Sequence, residues 1–450
     1  MRTSPMTFYQ FERRLVQLAR VILGLGSVIV RLAFAEDAST NAPGPRLQLA
    51  DAKRLAFERN WDLLAAKADV DIATAQGLVS KEFPNPVVGL TVMKIPTDGQ
   101  PSSTVLGNSF FHRSYDTIAS FNQLVEIGGK RTARKTSAKA GVEGATARFA
   151  DARRLLDLAV TRAYVASLLA DEQAHVLHAS AESLRREAGI AETRYKAGDI
   201  SRADRDQIVI SADRLELDAS RAESDAHAAR IQLEVLLGTP EAKGDLALGG
   251  SLTELTRETM ARVRGPSSAS VDIAERPDVR AAAAAVKKAD ADLRLQKAQR
   301  VPDPTFLVQY EREPPDKNDT VGFGVSFPLP LWNWNRGNIA AAAATRTQAE
   351  GHVLQARANA FAEIATAQHE LNTATERSQR YSTQIVPHSA AITETVRFAY
   401  QKGGASLLDL LTAERNDNDV RLAAATAEAD AANAAASLQT ALGDSPAAKP

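Results

Sequence analysis

Two hydrophobic periods run along this chain, and each of them occurs in both halves. Val321, Phe323, Val325, Phe327, Leu329 and Leu331 share one side of a run whose other side is Gly322, Gly324, Ser326, Pro328 and Pro330. A period of two predicts a strand with one apolar face. Phe306, Val308 and Tyr310 oppose Gln309 and Glu311 in the same way, and four strand regions follow, at 87–95, 115–127, 305–313 and 319–331. The other period is helical. From Arg131 to Ala197 there is no proline and no strand-like run, which as one helix would extend about 100 Å. Leu177, Ala181, Leu184, Ala188, Ala191 and Tyr195 keep the alternating four-and-three spacing of a coiled-coil seam. Leu215, Ala219, Ala222, Ala226, Ala229, Leu233 and Leu236 repeat it on the return, and adding 205 to each gives Val420, Ala424, Ala427, Ala431, Ala434, Leu438 and Ala441.

That offset is general. Tyr195-Lys-Ala-Gly-Asp-Ile-Ser-Arg-Ala-Asp204 and Tyr400-Gln-Lys-Gly-Gly-Ala-Ser-Leu-Leu-Asp409 place Tyr, Gly, Ser and Asp 205 residues apart, and Leu237-Gly238 maps onto Leu442-Gly443. The chain is an internal duplication. Each half begins with an Ala-rich helix, about 49–82 and 278–300, stopped by Pro84-Asn85-Pro86 or Pro302-Asp303-Pro304. Proline removes backbone donors and biases its predecessor away from helix. Two strands and a long helical hairpin follow. The repeats are placed at 47–240 and 277–443, with a connector at 241–276 that has room for a short helix and a tail at 444–450. Pro387 predicts a kink in the second long helix.

Composition narrows the class of protein. Net charge is −1 with both signs interspersed, so no nucleic-acid face is expected, and the absence of cysteine excludes disulfides, thiolate metal sites and a lipid-modified N-terminal cysteine. Arg13, Arg14 and Arg20, the apolar run 21–30 and Ala33-Phe34-Ala35 together predict a secretory signal peptide at 1–35, followed by a flexible segment at 36–46. Beyond it no stretch approaches the roughly 20 apolar residues of a transmembrane helix, so any membrane insertion must use strands.

Catalytic chemistry is not expected. His175 and His178 are spaced i, i+3 on a charged helix without a third ligand, and read as solvated residues rather than a metal site. Glu126-Ile-Gly-Gly-Lys-Arg131 fails as a phosphate loop, because Leu124 stands where the first glycine belongs and Arg131 replaces Ser or Thr. No Gly-x-Ser-x-Gly occurs. The expectation is a protein that is not an enzyme and carries no cofactor and no bound metal.

Nine-to-thirteen-residue strands, apolar on one side, suit a membrane barrel, although the pattern alone leaves open a soluble sandwich hairpin. Four strands cannot close in lipid, because open edges leave backbone groups that hydrocarbon cannot satisfy. Two chains would supply eight strands and three would supply twelve.

Several motifs carry a specific resemblance: Phe121-Asn-Gln-Leu-Val-Glu-Ile-Gly-Gly-Lys-Arg131, Phe327-Pro-Leu-Pro-Leu-Trp-Asn-Trp-Asn-Arg-Gly-Asn338, and Tyr400-x-x-Gly-x-x-Ser-Leu-Leu-Asp-Leu-Leu. With the duplicated order of elements, they make residues 47–443 resemble the TolC family of outer-membrane efflux channels, nearest the CzcC-type components of heavy-metal efflux systems. The resemblance implies a mainly α fold with a membrane β-barrel: four strands per protomer in a shared trimeric 12-stranded barrel, continued by a long α-helical coiled-coil tunnel in the periplasm. It implies a homotrimer in outer-membrane lipid of a Gram-negative bacterium, docked on a periplasmic adaptor and an inner-membrane RND pump. Drug efflux and type I protein secretion are the neighbouring readings, and a soluble periplasmic coiled-coil scaffold is the reading from another class.

The family also places the duplicated motif at the periplasmic hairpin tips, near 198 and 403. Tyr195, Gly198, Ser201, Gly403, Gly404 and Ser406 are then expected to form the tip turns and the adaptor contact. The glycines suit turns that need positive φ, and the serines suit N-caps. Asp204, Tyr400 and Asp409 are expected to form the gate or constriction. The chain departs from the family pattern at Ala405, where better-known members carry an arginine, and at Thr412, where an aspartate can occur. The salt-bridged lock of those members is not expected here.

Overall fold

The computed structural model describes residues 46–93, 116–263, 272–313 and 318–443. The predicted signal peptide, nearly all of the segment 36–46, residues 94–95 and 115 of two predicted strands, the loop 264–268 and the tail lie outside the described residues.

The first helical region is two helices, α1 (Leu49–Arg59) and α2 (Trp61–Val79). Asn60 divides them: its backbone is extended, its side chain accepts from the Leu63 amide, and it therefore caps α2. Strands β1 (Val87–Met93) and β2 (Asp116–Leu124) lead into α3 (Lys130–Ala197), a single helix of 68 residues, and α4 (Arg202–Leu236) returns. The connector holds α5 (Leu252–Val263) and a short 3-10 turn (Ile273–Glu275). The second half runs α6 (Pro277–Ala298), β3 (Thr305–Glu313), β4 (Asn318–Ser326), α7 (Arg336–Arg380), α8 (Val386–Gln401) and α9 (Leu407–Ala441). Between α7 and α8 lies one π turn, Tyr381–Ile385. Pro387 has no N–H to return to Thr383, and the wider turn before it takes up the mismatch.

The strands form one antiparallel sheet in the order β1-β2-β3-β4, so the two repeats meet where β2 pairs with β3. Register divides its faces. Val88, Phe121, Val308 and Phe323 form one row across the sheet, and all four are exposed. The next row is Gly89, Ser120, Gln309 and Gly322. A Cβ on Gly89 would lie 2.8 Å from Ser120 Oγ, and one on Gly322 3.0 Å from Gln309 Cγ, so these glycines make room for polar neighbours on that side. One face of the sheet is mainly apolar and the other mainly polar. Strand β4 ends at Ser326 rather than at 331, because Pro328 and Pro330 cannot donate to a ladder.

The core lies among the helices. α4 packs along α3, α2 and α6 pack on the strand-proximal part of α3, and α9 packs against α3, α5, α7 and α8. Alanine permits this: Ala427, Ala431, Ala432 and Ala435 are fully buried on α9, so its seam is wider than the four-and-three spacing indicates. Where α1, α3 and α5 meet, Tyr164 donates from its hydroxyl to the carbonyl oxygens of Leu47 and Gly249, tying a short parallel bridge between Leu47 and Leu248.

The duplication extends to the ends of the return helices. Asn60 Nδ2 donates to the Leu236 carbonyl at the end of α4, at 3.0 Å. Arg276, the residue before α6, donates from Nη1 to the Ala441 carbonyl at the end of α9, at 2.9 Å. Leu236 and Ala441 are the same position in the two repeats, since they are 205 residues apart. In each repeat the residue that starts the helix running to the sheet also satisfies orphan carbonyls of the returning helix. Arg154 adds a bond to the Thr440 carbonyl.

Candidate functional site

The far end of the helices from the sheet is built by two hairpins with the same backbone. At the first, Gly198 N–H donates to Tyr195 O at 3.0 Å and Asp199 N–H to Arg194 O at 2.9 Å. At the second, Gly403 N–H donates to Tyr400 O at 3.1 Å and Gly404 N–H to Ala399 O at 2.8 Å. Gly198 has φ 87° and Gly403 φ 79°, the left-handed conformation that closes a helix C-terminus. A Cβ at either site would meet nothing within 4 Å, so only the backbone demands glycine. Gly198→Ala and Gly403→Ala are each expected to cost about 1–2 kcal/mol locally. Hydrogen exchange of the tip amides measures this; unchanged protection in both variants would contradict the account.

Both return helices start alike. Ser201 Oγ accepts from the Asp204 amide at 3.1 Å, and Ser406 Oγ from the Asp409 amide at 3.2 Å. At the second tip Ser406 N–H also donates to Asp409 Oδ2 at 3.0 Å, which completes a capping box. These bonds, first from the Ser406 hydroxyl and then from its amide, hold the exposed Asp409 carboxyl below the usual carboxylate range.

The hairpins are welded together through Tyr400. It is only 5% exposed and packs in one cluster with Leu184, Ala188, Ala191, Ile208 and Leu410, which come from both hairpins. The Arg194 guanidinium lies 5.4 Å from the centre of its ring. Burial, above all, raises the pKa of its hydroxyl; Arg194 opposes that, and the charges of Glu187 and Asp204 add to it. Gln401 Nε2 reaches across to Glu187 Oε1 at 3.3 Å, and Arg397 pairs with Glu414 within the second hairpin. Asp204 and Tyr400 are thus electrostatic neighbours. Asp409 sits apart on its own cap, facing solvent. Tyr195 is half-buried, with Arg205 5.0 Å from its ring centre.

Arg194, Glu187 and Gln401 were not among the residues expected from the sequence. The signal was asymmetry: the position of Arg194 is Ala399 in the second repeat, so the duplication marks it as a departure.

The sheet defines the class. Its edge strands β1 and β4 are each paired on one side only among the described residues, and one of its faces is apolar. A four-stranded sheet of this kind in lipid must be completed by other copies. No helix among the described residues is long and apolar enough to cross a membrane. A membrane duct with a strand wall and a helical extension is the class so defined.

The chain belongs to the outer membrane efflux protein family, whose sequence profile matches residues 53–239 and 270–444. The cobalt-zinc-cadmium resistance protein CzcC of Cupriavidus metallidurans is 24% identical over 379 residues, covering 83% of this chain and 84% of that protein. Among solved structures, CusC superposes with a TM-score of 0.71 at 19% identity, over 92% of this chain and 96% of its own. The open outer-membrane channel MtrE of Neisseria gonorrhoeae gives 0.70 at 21% identity, over 88% of each chain. Channels of this family are trimeric, non-enzymatic ducts of the Gram-negative outer membrane that act with a periplasmic adaptor and an RND pump. Four strands per chain are then a third of a twelve-stranded barrel.

Proposed function

We propose that this protein is the exit duct for heavy-metal cations in a tripartite efflux system, gated at its periplasmic tips. The relative named for cobalt, zinc and cadmium resistance, aligned over most of both chains, carries the substrate class. Residues 1–35 act as the export signal, outer-membrane lipid surrounds the barrel, and nucleic acid has no part. The duct is passive. Among the described residues no cluster of His, Cys or Met lines the tips, and the pump supplies both energy and selection.

In this reading Asp204 and Tyr400 belong to the closed entrance, and the exposed Asp409 carboxylates screen arriving cations. Gly198, Gly403, Gly404, Tyr195, Ser201 and Ser406 shape the surface that the adaptor engages. Asp409→Asn keeps an acceptor for the cap and removes the charge. Block of single-channel current by divalent cations should weaken, because the exposed carboxylates that concentrate cations at the entrance lose their charge. Unchanged block would take Asp409 out of the gate.

The substrate is tested by deleting the gene and comparing sensitivity to cobalt, zinc and cadmium with sensitivity to a panel of hydrophobic drugs. Metal sensitivity that the intact gene reverses is the expected result. Sensitivity confined to the drugs, or loss of a secreted protein, would replace the metal reading by drug efflux or type I secretion.

A further inference from the structure

All four strands meet the helices at one end of the sheet, and a band of exposed apolar side chains collects there. Phe327, Leu329 and Leu331 keep the parity of Val321, Phe323 and Val325, so they carry the outer face beyond the last ladder bond. Trp332 is 92% exposed, and Trp334 and Phe83 are exposed beside the same strand ends. Tryptophan suits a boundary where one end of the ring is apolar and the other wet.

Cations follow directly on the helix side of the band. Lys81, Lys135, Arg300 and Arg336 are exposed. Arg131 stacks 4.0 Å from the centre of the Phe83 ring, and its Nε and Nη2 donate to the Lys81 carbonyl at 3.0 and 2.5 Å. Its guanidinium is thereby fixed at the foot of β1. The acids near these residues are few. Glu126 and Asp303 are taken up in ion pairs with Arg134 and Lys130, which among the described residues leaves Glu82 as the exposed carboxylate of the strand–helix junctions.

Tryptophans at this level are what a membrane barrel carries at its interfaces; we infer that the cations beside them form a headgroup collar that binds the phosphates of anionic phospholipids in the periplasmic leaflet. Two features commit the band to lipid. It is continuous with the apolar outer face of the barrel strands, and its charge is complementary to anionic headgroups. The inference rests on the assignment of those strands to the outer membrane.

The test uses the full-length trimer carrying Trp61→Phe, which removes the one tryptophan outside the band. In proteoliposomes, phosphatidylcholine brominated near the glycerol end of its chains should quench the remaining fluorescence more than lipid brominated near the methyl end. Phosphatidylglycerol should be enriched among lipids retained by the trimer at low salt, up to about fivefold less for each cation replaced by glutamine. Lys81→Gln, Lys135→Gln and Arg300→Gln sample those positions, and high salt should erase the enrichment. A trimer that conducts but shows no quenching would overturn the collar and assign the band to a protein interface. Quenching without phosphatidylglycerol enrichment would overturn the recognition of phosphate. A chain that never enters the vesicles would remove the membrane assignment itself.

Discussion

Arg276→Ala is expected to destabilise the trimer by about 3 kcal/mol per protomer, the scale of removing one partner from a buried ion pair. Arg276 is among the largest fully buried side chains of the described residues. Its Nη2 contacts Asp278 Oδ2 and Glu363 Oε2, both at 2.7 Å, while Nη1 holds the Ala441 carbonyl. Alanine would strand that carbonyl and leave Asp278 without its counter-charge. Arg276→Lys keeps the charge but cannot span three acceptors, so it should recover less than half of the loss. Burial by itself would raise the Asp278 pKa, but the Arg276 guanidinium outweighs it and holds the carboxyl below its ordinary value. The sign follows. Stabilisation by this pair is complete above the unfolded carboxylate pKa of about 4, and it is lost as pH falls through the lower folded value. Thermal dissociation of the purified trimer, followed from pH 7 into this acidic range, measures both effects. A variant as stable as the parent at neutral pH would refute the helix-end clamp.

Tyr400→Ala should produce the largest functional change, an entrance that stays open without adaptor or pump. Truncating a buried aromatic costs about 3–5 kcal/mol. Here that loss falls on the packing between two hairpins rather than on the core near the sheet. Each 1.4 kcal/mol moves a closed-to-open ratio about tenfold, so the loss is ample to reverse a closed resting state. Arg194→Ala removes the cation beside the ring, about 1 kcal/mol, and should raise the open fraction about fivefold. Tyr400→Phe keeps the ring and its burial, and should stay near the parent. Single-channel recording orders the three variants. Tyr400→Ala with parental conductance in an intact trimer would show that the hairpins are held by other contacts.

The sequence was most readable where one force acts at a time. Glycine at the end of a helix and Ser-x-x-Asp at the start of the next define both tip turns, since positive φ and an N-cap are local requirements. Period-two alternation gives the faces of β3 and β4, because lipid and lumen impose opposite polarities on neighbouring residues. For the same reason the alternation outruns the fourth strand: Phe327, Leu329 and Leu331 continue it after Pro328 and Pro330 have ended the ladder. The break at Asn60 was hidden inside an apolar helical pattern, although Asn followed by Trp61 and Asp62 is a reasonable cap sequence. What could not be read was partnership between distant positions. Arg194 with Tyr400, Gln401 with Glu187 and Arg276 with Glu363 join residues that no local pattern connects. The duplication helps only where the repeats agree, and these contacts occur where they differ. Residue 405 is an uncharged alanine at this tip, and Arg194 supplies a cation to Tyr400 from the opposite hairpin.

The central claim is that copies of this chain complete one another's sheet to form a conducting duct. Purified full-length protein, added to a planar lipid bilayer after its mass has been determined in detergent, tests it most directly. The account predicts a trimer that inserts and conducts in discrete, uniform steps. A stable monomer that leaves the bilayer electrically silent would contradict it.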